Sequence, residues 1–200
     1  MRNGNRRLPK SSHWKCFMGK MRISASSWNV QLRSLLKHLA SEVASQSNGE
    51  TLRIAVVGIG NEFNGDDAAG VLVVRTLQKK LNHLNHLLLV EGGTAPENST
   101  ARLRRFRPHL VLMVDSAEMN QPPGSVMLVA FNSLEGLSAS THTLPPSVLA
   151  NFLQRELGCQ VALLGIQPQN LEFDAPLSEP VKRSVARVKQ SLIRMLGQPS

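Results

Sequence analysis

Apolar residues along this chain fall into two patterns, short continuous runs and stripes with helical spacing. Five aliphatic runs predict buried strands, at 52–60, 86–91, 109–116, 125–131 and 160–168. Apolar residues that recur three and four positions apart predict helices at 68–81, 140–157 and 178–196, with a short basic helix at 99–106. Because strands alternate with helices, we expect an α/β fold, a three-layer α/β/α sandwich around a twisted, mostly parallel five-stranded sheet.

The connection between the third and fourth predicted strands limits their relative direction. It comprises residues 117–124 and contains Pro122, Pro123 and Gly124. Such a segment is too short for the helical crossover that parallel neighbours need. If these two strands pair, we therefore expect them to be antiparallel, which gives the sheet one antiparallel strand.

The positive charge of the chain is concentrated at its N-terminus. Residues 1–50 hold nine Lys and Arg and two acidic residues, whereas residues 51–200 are nearly neutral. We predict a basic N-terminal extension over 1–50, disordered at 1–26 and helical with an apolar face at about 28–43, followed by one domain over 51–200. A solvated arm is favoured over a nucleic-acid-binding arm, so no nucleic-acid partner is expected.

The cysteine positions and the lengths of the apolar runs indicate the cellular compartment of the protein. Cys16 lies in the extension and Cys159 in the domain, which argues against both a disulfide framework and a cysteine metal site. Apolar runs of about six residues are too short to cross a bilayer, and the first twenty residues lack the apolar segment of a secretory signal. We expect a cytoplasmic protein without a membrane partner. The basic N-terminus also fits a transit peptide, and Met18 and Met21 fit an over-extended start.

A glycine-rich turn, GIGNEFNGDDAAG at 58–70, joins the first predicted strand of the domain to its first helix. A dinucleotide-binding turn needs a glycine where Phe63 stands, and no Gly-Lys-Ser/Thr of a phosphate loop follows. The adjacent carboxylates of Asp66 and Asp67 would also repel a phosphate at close range. We therefore reject nucleotide binding.

Polar residues at the ends of predicted strands suggest a metal site instead. Asp66 and Asp67 follow the first strand, Asp115 ends the third, and His142 lies in the loop just before a helix. Ligands of open α/β sheets bind beyond the carboxyl ends of the strands. Two carboxylates and one imidazole suit nickel, zinc, manganese or iron, and three protein ligands leave coordination positions open.

Each of these residues also has an ordinary structural interpretation. Asp66 would cap a helix that begins near Ala68, and Asp67 in a first turn would be favoured by the helix dipole. His142 alone would be an ordinary loop histidine. Asp115 is harder to explain in this way, because an acid after the apolar VLMV run needs a partner to offset its burial. Spacing alone therefore does not decide between a metal site and these structural roles.

Five segments together resemble the hydrogenase maturation endopeptidases, in particular the branch that processes the large subunit of hydrogenase 3-type enzymes. They are GIGNEFNGDDAAG, EGGTAPENS, VDSAEMNQPPG, STHTLPPSVL and LLGIQP, in that order over about residues 52–196. The resemblance implies a twisted sheet between helices. It also implies a protease that removes the C-terminal extension of a nickel–iron hydrogenase large-subunit precursor after nickel insertion. The metal-site positions of the family fall on Asp67, Asp115 and His142.

The resemblance further implies that these three residues recognise nickel carried by the precursor, which is the expected partner; another divalent ion such as zinc is an alternative. Glu97 and Gln167 are weaker candidates for the groove that takes the extension. Ser116 stands where alanine is common in the family. We expect a monomer.

Two rival functions remain open. In a metal-free aspartic-type peptidase, Asp67 and Asp115 would share a proton and His142 would have no role. In a non-catalytic, nickel-binding maturation checkpoint, the protein would dock on the precursor without changing its mass.

Overall fold

A computed structural model of the chain describes residues 27–46, 49–130 and 146–197. The strands in these ranges are β1 (Ile54–Ile59), β2 (Leu87–Gly93), β3 (Leu110–Ser116), β4 (Val126–Ala130) and β5 (Gln160–Ile166). The helices are α1 (Trp28–Gln46), α2 (Ala69–Leu81), α3 (Thr100–Phe106), α4 (Pro146–Leu157) and α5 (Glu179–Leu196). Short 3-10 turns, Gly65–Ala68 and Pro96–Ser99, lead into α2 and α3.

The strands form one five-stranded sheet in the order β2-β1-β3-β5-β4. The pairs β1–β2, β1–β3 and β3–β5 are parallel, and β4–β5 is antiparallel. The predicted α/β fold with a mostly parallel sheet and one antiparallel strand is therefore confirmed.

The antiparallel strand has a different partner from the one considered in the sequence. β4 pairs with β5 along Val126–Ala130, and β5 lies between β3 and β4. The short connection after β3 thus passes over the end of β5, where the backbone N–H of Gly124 donates to the carbonyl of Gln167 at 2.8 Å. The length of the connection therefore predicted the direction of β4 relative to β3, but it did not predict that β4 pairs with β5.

The two faces of the sheet are covered by different helices. On one face, alternate strand residues such as Val56 and Leu112 pack with apolar residues of α1, α2 and α5. On the other face, Val57 and Met113 pack with α3 and α4. This alternation follows from the two-residue period of a strand, and it gives the three layers of the sandwich.

The N-terminus of α2 lies directly on the carboxyl ends of β1 and β3. A Cβ atom at Gly70 would lie 2.1 Å from the carbonyl oxygen of Val114 and 2.4 Å from that of Ile59. Only glycine permits this approach, and Gly58, whose Cβ atom would lie 2.5 Å from the carbonyl oxygen of Gly70, serves the same contact between helix and sheet. The residues between β1 and α2 are thereby held against the end of β3.

Some predictions fall on residues that the structure does not describe. They are the disorder predicted for 1–26, the first residues of the helix predicted at 140–157, and His142. Among the described residues, no helix is long and apolar enough to cross a membrane.

Candidate active site

Asp67 lies in the 3-10 turn between β1 and α2, with 2% of its surface exposed. Its Oδ2 atom accepts the backbone N–H of Asn61 at 2.8 Å, and its Oδ1 atom accepts the hydroxyl of Ser116 at 3.1 Å. Asn61 follows β1, and Ser116 is the last residue of β3. The Asp67 carboxylate is therefore oriented from two neighbouring parallel strands at once.

Gly60 makes room for this arrangement. Its φ of +130° lies in a region that side chains rarely adopt, and a Cβ atom there would lie 1.8 Å from the carbonyl oxygen of Asp67. Any side chain at position 60 would therefore displace the Asp67 backbone from the end of the sheet.

Asp115 is the penultimate residue of β3 and is also 2% exposed. The pKa of its carboxyl group is raised from an ordinary value of 3.8 to about 7. Burial is the largest cause, the charge of Asp67 adds to it, and the Ser116 N–H opposes both. The Asp67 carboxylate accepts a hydrogen bond from Ser116, the residue next to Asp115, so the two acidic residues lie near the same end of β3. The structure thus brings together two of the three sequence-predicted residues.

His142, the third residue, lies outside the described residues. Within the described part of the chain, no group of three or more His, Cys, Asp or Glu side chains is arranged to hold a metal ion. Without His142, the predicted ligands are the carboxylate oxygens of Asp67 and Asp115, and such oxygens are suitable ligands for nickel or zinc. The convergence of His142 with them stays a prediction.

Asp66 has a different role from the helix cap suggested by its position. Neither the 3-10 turn nor α2 has a side-chain cap. The fully buried Asp66 carboxylate instead accepts the N–H groups of Gln169, Asn170 and Ser178 and the Ser178 hydroxyl, at 2.7 to 3.0 Å. The capping interpretation is therefore wrong, because this carboxylate faces the segment between β5 and α5.

Gln167 supports the loop that follows β3. Gln167 is 4% exposed. Its side-chain oxygen Oε1 accepts the backbone N–H of Met119 at 2.8 Å, and its side-chain Nε2 donates to the Glu118 carboxylate at 2.9 Å. These bonds fix the chain just beyond Asp115. Glu97, the other weak candidate for the groove, is exposed in the 3-10 turn after β2.

An ion-pair network fixes the residue next to Asn61. Arg75 of α2 binds both oxygens of Glu62 at 2.6 Å and also Glu91 of β2 at 2.7 Å. Hydrogen bonding from Arg75 lowers the pKa of Glu62, and the two glutamates raise the pKa of Arg75. These side chains are partly exposed, so the network contributes orientation more than stability.

Sequence reasoning missed the orienting roles of Asn61, Ser116 and Arg75. The only signal for Ser116 was its departure from the alanine common in similar proteins. Asn61 donates to Asp67 through its backbone N–H, which almost every residue type has, so the sequence gives no indication of this contact. All three contacts depend on the loop after β1 reaching the ends of β2 and β3.

Comparison with known proteins identifies relatives of this chain. Residues 71–195 match the family model of the HycI hydrogenase maturation proteases. A putative hydrogenase maturation protease of Methanocaldococcus jannaschii is 34% identical over 152 residues, which cover 73% of this chain and 89% of that protein. The hydrogenase 3 maturation protease of Escherichia coli K12 is 33% identical, over 67% of this chain and 85% of its own.

Solved structures of similar proteins share the fold. The crystal structure of the nickel–iron hydrogenase maturation protease HycI from Thermococcus kodakarensis has a TM-score of 0.68 and 28% identity, covering 78% of this chain and 99% of that one. A crystal structure of the hydrogenase 3 maturation protease has a TM-score of 0.61 and 31% identity, covering 70% and 88%. This chain therefore belongs to the hydrogenase maturation protease family and is a peptide hydrolase.

Proposed function

We propose that this hydrolase removes the C-terminal extension of a nickel–iron hydrogenase large-subunit precursor after nickel has been inserted. In this proposal it acts as a cytoplasmic monomer and recognises the nickel through Asp67, Asp115 and His142. One observation carries the proposal. Two buried carboxyl groups, those of Asp67 and Asp115, share a site at the carboxyl edge of the sheet.

The electrostatics of the pair explain why a metal-loaded substrate would be preferred. Two ionised carboxylates in a buried site repel each other, and burial also disfavours each charge. A divalent ion carried by the precursor would offset both effects, whereas a precursor without metal would leave them in place. Cleavage would thereby depend on nickel insertion, with nickel as cargo of the substrate.

Each residue then has a defined task. Asn61 and Ser116 hold the Asp67 carboxylate in one orientation, and Asp115 must release its proton when it binds the ion. A metal ion next to the scissile bond can polarise its carbonyl group or activate water. In this proposal the same three ligands therefore serve recognition and chemistry.

The raised pKa of Asp115 also favours a second candidate, a metal-free aspartic-type peptidase. In such an enzyme one carboxyl group is protonated while its ionised neighbour activates water. Both carboxyl groups are buried, and the charge of Asp67 helps to raise the pKa of Asp115, as this chemistry requires of the protonated member of the pair. His142 would then have no part in cleavage.

The test is cleavage of the purified large-subunit precursor, prepared without metal, with nickel or with zinc, and followed by intact mass. We expect loss of a C-terminal peptide only from the nickel-loaded precursor. Both Asp67→Asn and His142→Ala are expected to reduce the rate at least about 100-fold, as for other catalytic metal ligands and their supports. Glu156→Gln, at an exposed carboxylate far along the chain, serves as the control and should leave the rate unchanged.

Each alternative predicts a different result. Full activity of His142→Ala, with cleavage of the metal-free precursor, would establish the aspartic-type peptidase. Binding of the loaded precursor without any change in its mass would establish the checkpoint function.

A further inference from the structure

An exposed apolar surface lies beside the candidate active site. Phe63 is 65% exposed, Phe173 is 78% exposed and Leu171 is 42% exposed. The rings of Phe63 and Phe173 pack on each other with centroids 6.4 Å apart. We call these three residues the aromatic patch. They are half of the large hydrophobic side chains exposed in the described part of the chain, the others being Val30, Val148 and Phe152.

The patch is fixed relative to Asp67 through hydrogen bonds of the loop after β1. The N–H of Phe63 donates to the Asn61 side chain at 3.1 Å, and the N–H of Asn61 donates to the Asp67 carboxylate. Phe63 is thus four residues from Asp67 along the chain and is connected to it by two consecutive bonds.

The segment that carries Phe173 is held to the same loop. The N–H of Asp174 donates to the carbonyl oxygen of Phe63 at 2.6 Å, and Asp66 accepts the N–H groups of Gln169 and Asn170. Both aromatic rings therefore stand on backbone that is anchored by the buried Asp66 carboxylate. A surface held in this way loses little conformational freedom when a partner binds.

The charges around the patch are acidic. Glu172 and Asp174 are exposed on either side of Phe173, whereas Glu62, which precedes Phe63, is paired with Arg75. Neither the segment 59–67 nor the segment 167–178 contains a lysine or an arginine. If a second copy of this chain docked patch to patch, these like charges would face each other, which is unfavourable. A partner with apolar side chains flanked by a cation fits this surface better.

We propose that the aromatic patch is a docking surface for the segment of the large-subunit precursor that carries the cleavage site. This segment would place apolar side chains on Phe63 and Phe173 and a neighbouring cation near Glu172 and Asp174. The inference rests on the proposed function, because it assumes that the precursor reaches Asp67. The docking surface would then align the scissile bond with the two carboxyl groups.

The test compares wild-type protein with the double variant Phe63→Ala/Phe173→Ala. Cleavage of nickel-loaded precursor is measured by intact mass over a range of precursor concentrations, and precursor binding is measured by surface plasmon resonance. Loss of two exposed aromatic anchors is expected to lower kcat/KM about 10- to 100-fold and to weaken binding by a similar factor. The effect should lie in KM, with kcat at saturation changed less than about threefold.

Two further variants separate docking from a general effect on the fold. Val30→Ala removes an apolar side chain on α1 that is 54% exposed and should leave kcat/KM unchanged. Phe63→Leu/Phe173→Leu keeps an apolar surface and should recover most of the lost affinity. The melting temperature of the alanine variant should match wild type, because both side chains are exposed.

The outcomes distinguish this inference from the proposed function. Wild-type protein that never cleaves loaded precursor overturns the proposed function, whereas wild-type cleavage with an unchanged kcat/KM in the alanine variant overturns the docking surface alone. A wild-type dimer in light scattering that the alanine variant converts to monomers would assign the patch to a second copy and would also overturn the inference.

Discussion

At the scale of single residues, Asp115 carries a charge that its buried surroundings disfavour. Its folded-state pKa of about 7 lies above its ordinary value of 3.8, so the folded protein binds this proton more tightly than the unfolded chain. The resulting stability is fully present at pH values below the unfolded pKa and is lost as pH rises through about 7. In metal-free protein the group therefore makes the fold less stable at alkaline pH.

Asp115→Asn should remove this dependence on pH. We expect the variant to gain roughly 2–4 kcal/mol in free energy of unfolding relative to wild type between about pH 4 and about pH 8. The measurement is urea unfolding in the presence of a chelator, so that no metal ion competes with the proton. Asp174→Asn, at an exposed carboxylate, should follow the wild-type profile. Parallel profiles for wild type and Asp115→Asn would contradict the prediction.

The sequence singled out Asp115 because an acid at the end of a buried apolar run needs a partner, whereas Asp67 was chosen over Asp66 through the family resemblance. It did not identify their supports. Ser116 contacts Asp67 across 49 positions of the chain, and no local rule connects residues at that separation. The prediction that Asp66 caps a helix was wrong for the same reason. A capping rule considers only the following helix, whereas its partners are more than a hundred positions further along.

At the scale of elements, Asp66 connects the loop after β1 to the segment between β5 and α5. Its carboxylate accepts four hydrogen bonds from that segment. An asparagine at position 66 would offer one acceptor oxygen and would direct an N–H₂ group at N–H donors. Asp66→Asn is therefore expected to cost about 2–4 kcal/mol, since buried bonds to a charged group are strong.

Hydrogen exchange followed by mass spectrometry locates this effect. Amide protection should fall in residues 169–178 of Asp66→Asn and stay unchanged in β2 and α3. Ser178→Ala, which removes only one of the four bonds, should lose about 1 kcal/mol. Uniform loss of protection across the sheet would instead indicate that Asp66 stabilises the whole fold.

Element types were predictable because each strand is a buried apolar run and each helix has one apolar stripe. The neighbours in the sheet were less predictable. The short connection after β3 excluded a parallel β3–β4 pair, and this exclusion holds in the structure. β5 lies between them and shares an apolar cluster with α4 and with strands that are distant along the chain, which no local pattern indicates.

At the scale of the whole molecule, α1 packs with the same core as the sheet. Leu32, Leu35 and Leu39 are at most 4% exposed and lie in one apolar cluster with residues of β1, α2 and α5. The apolar stripe at about 28–43 predicted an amphipathic helix that packs on the domain, within a basic extension over 1–50. The apolar face of this helix contributes to the core. Removing α1 would expose the residues that it covers.

Leu35→Ala tests this contribution without shortening the chain. Truncating a fully buried leucine removes apolar contacts and leaves a cavity, so we expect a loss of about 2–4 kcal/mol in free energy of unfolding. Val30→Ala, on the same helix but 54% exposed, should change stability by less than about 0.5 kcal/mol. Both values come from urea unfolding at neutral pH. Equal stability of Leu35→Ala and Val30→Ala would contradict a contribution of α1 to the core. The face of the sheet that α1 covers would then have to be buried in another way.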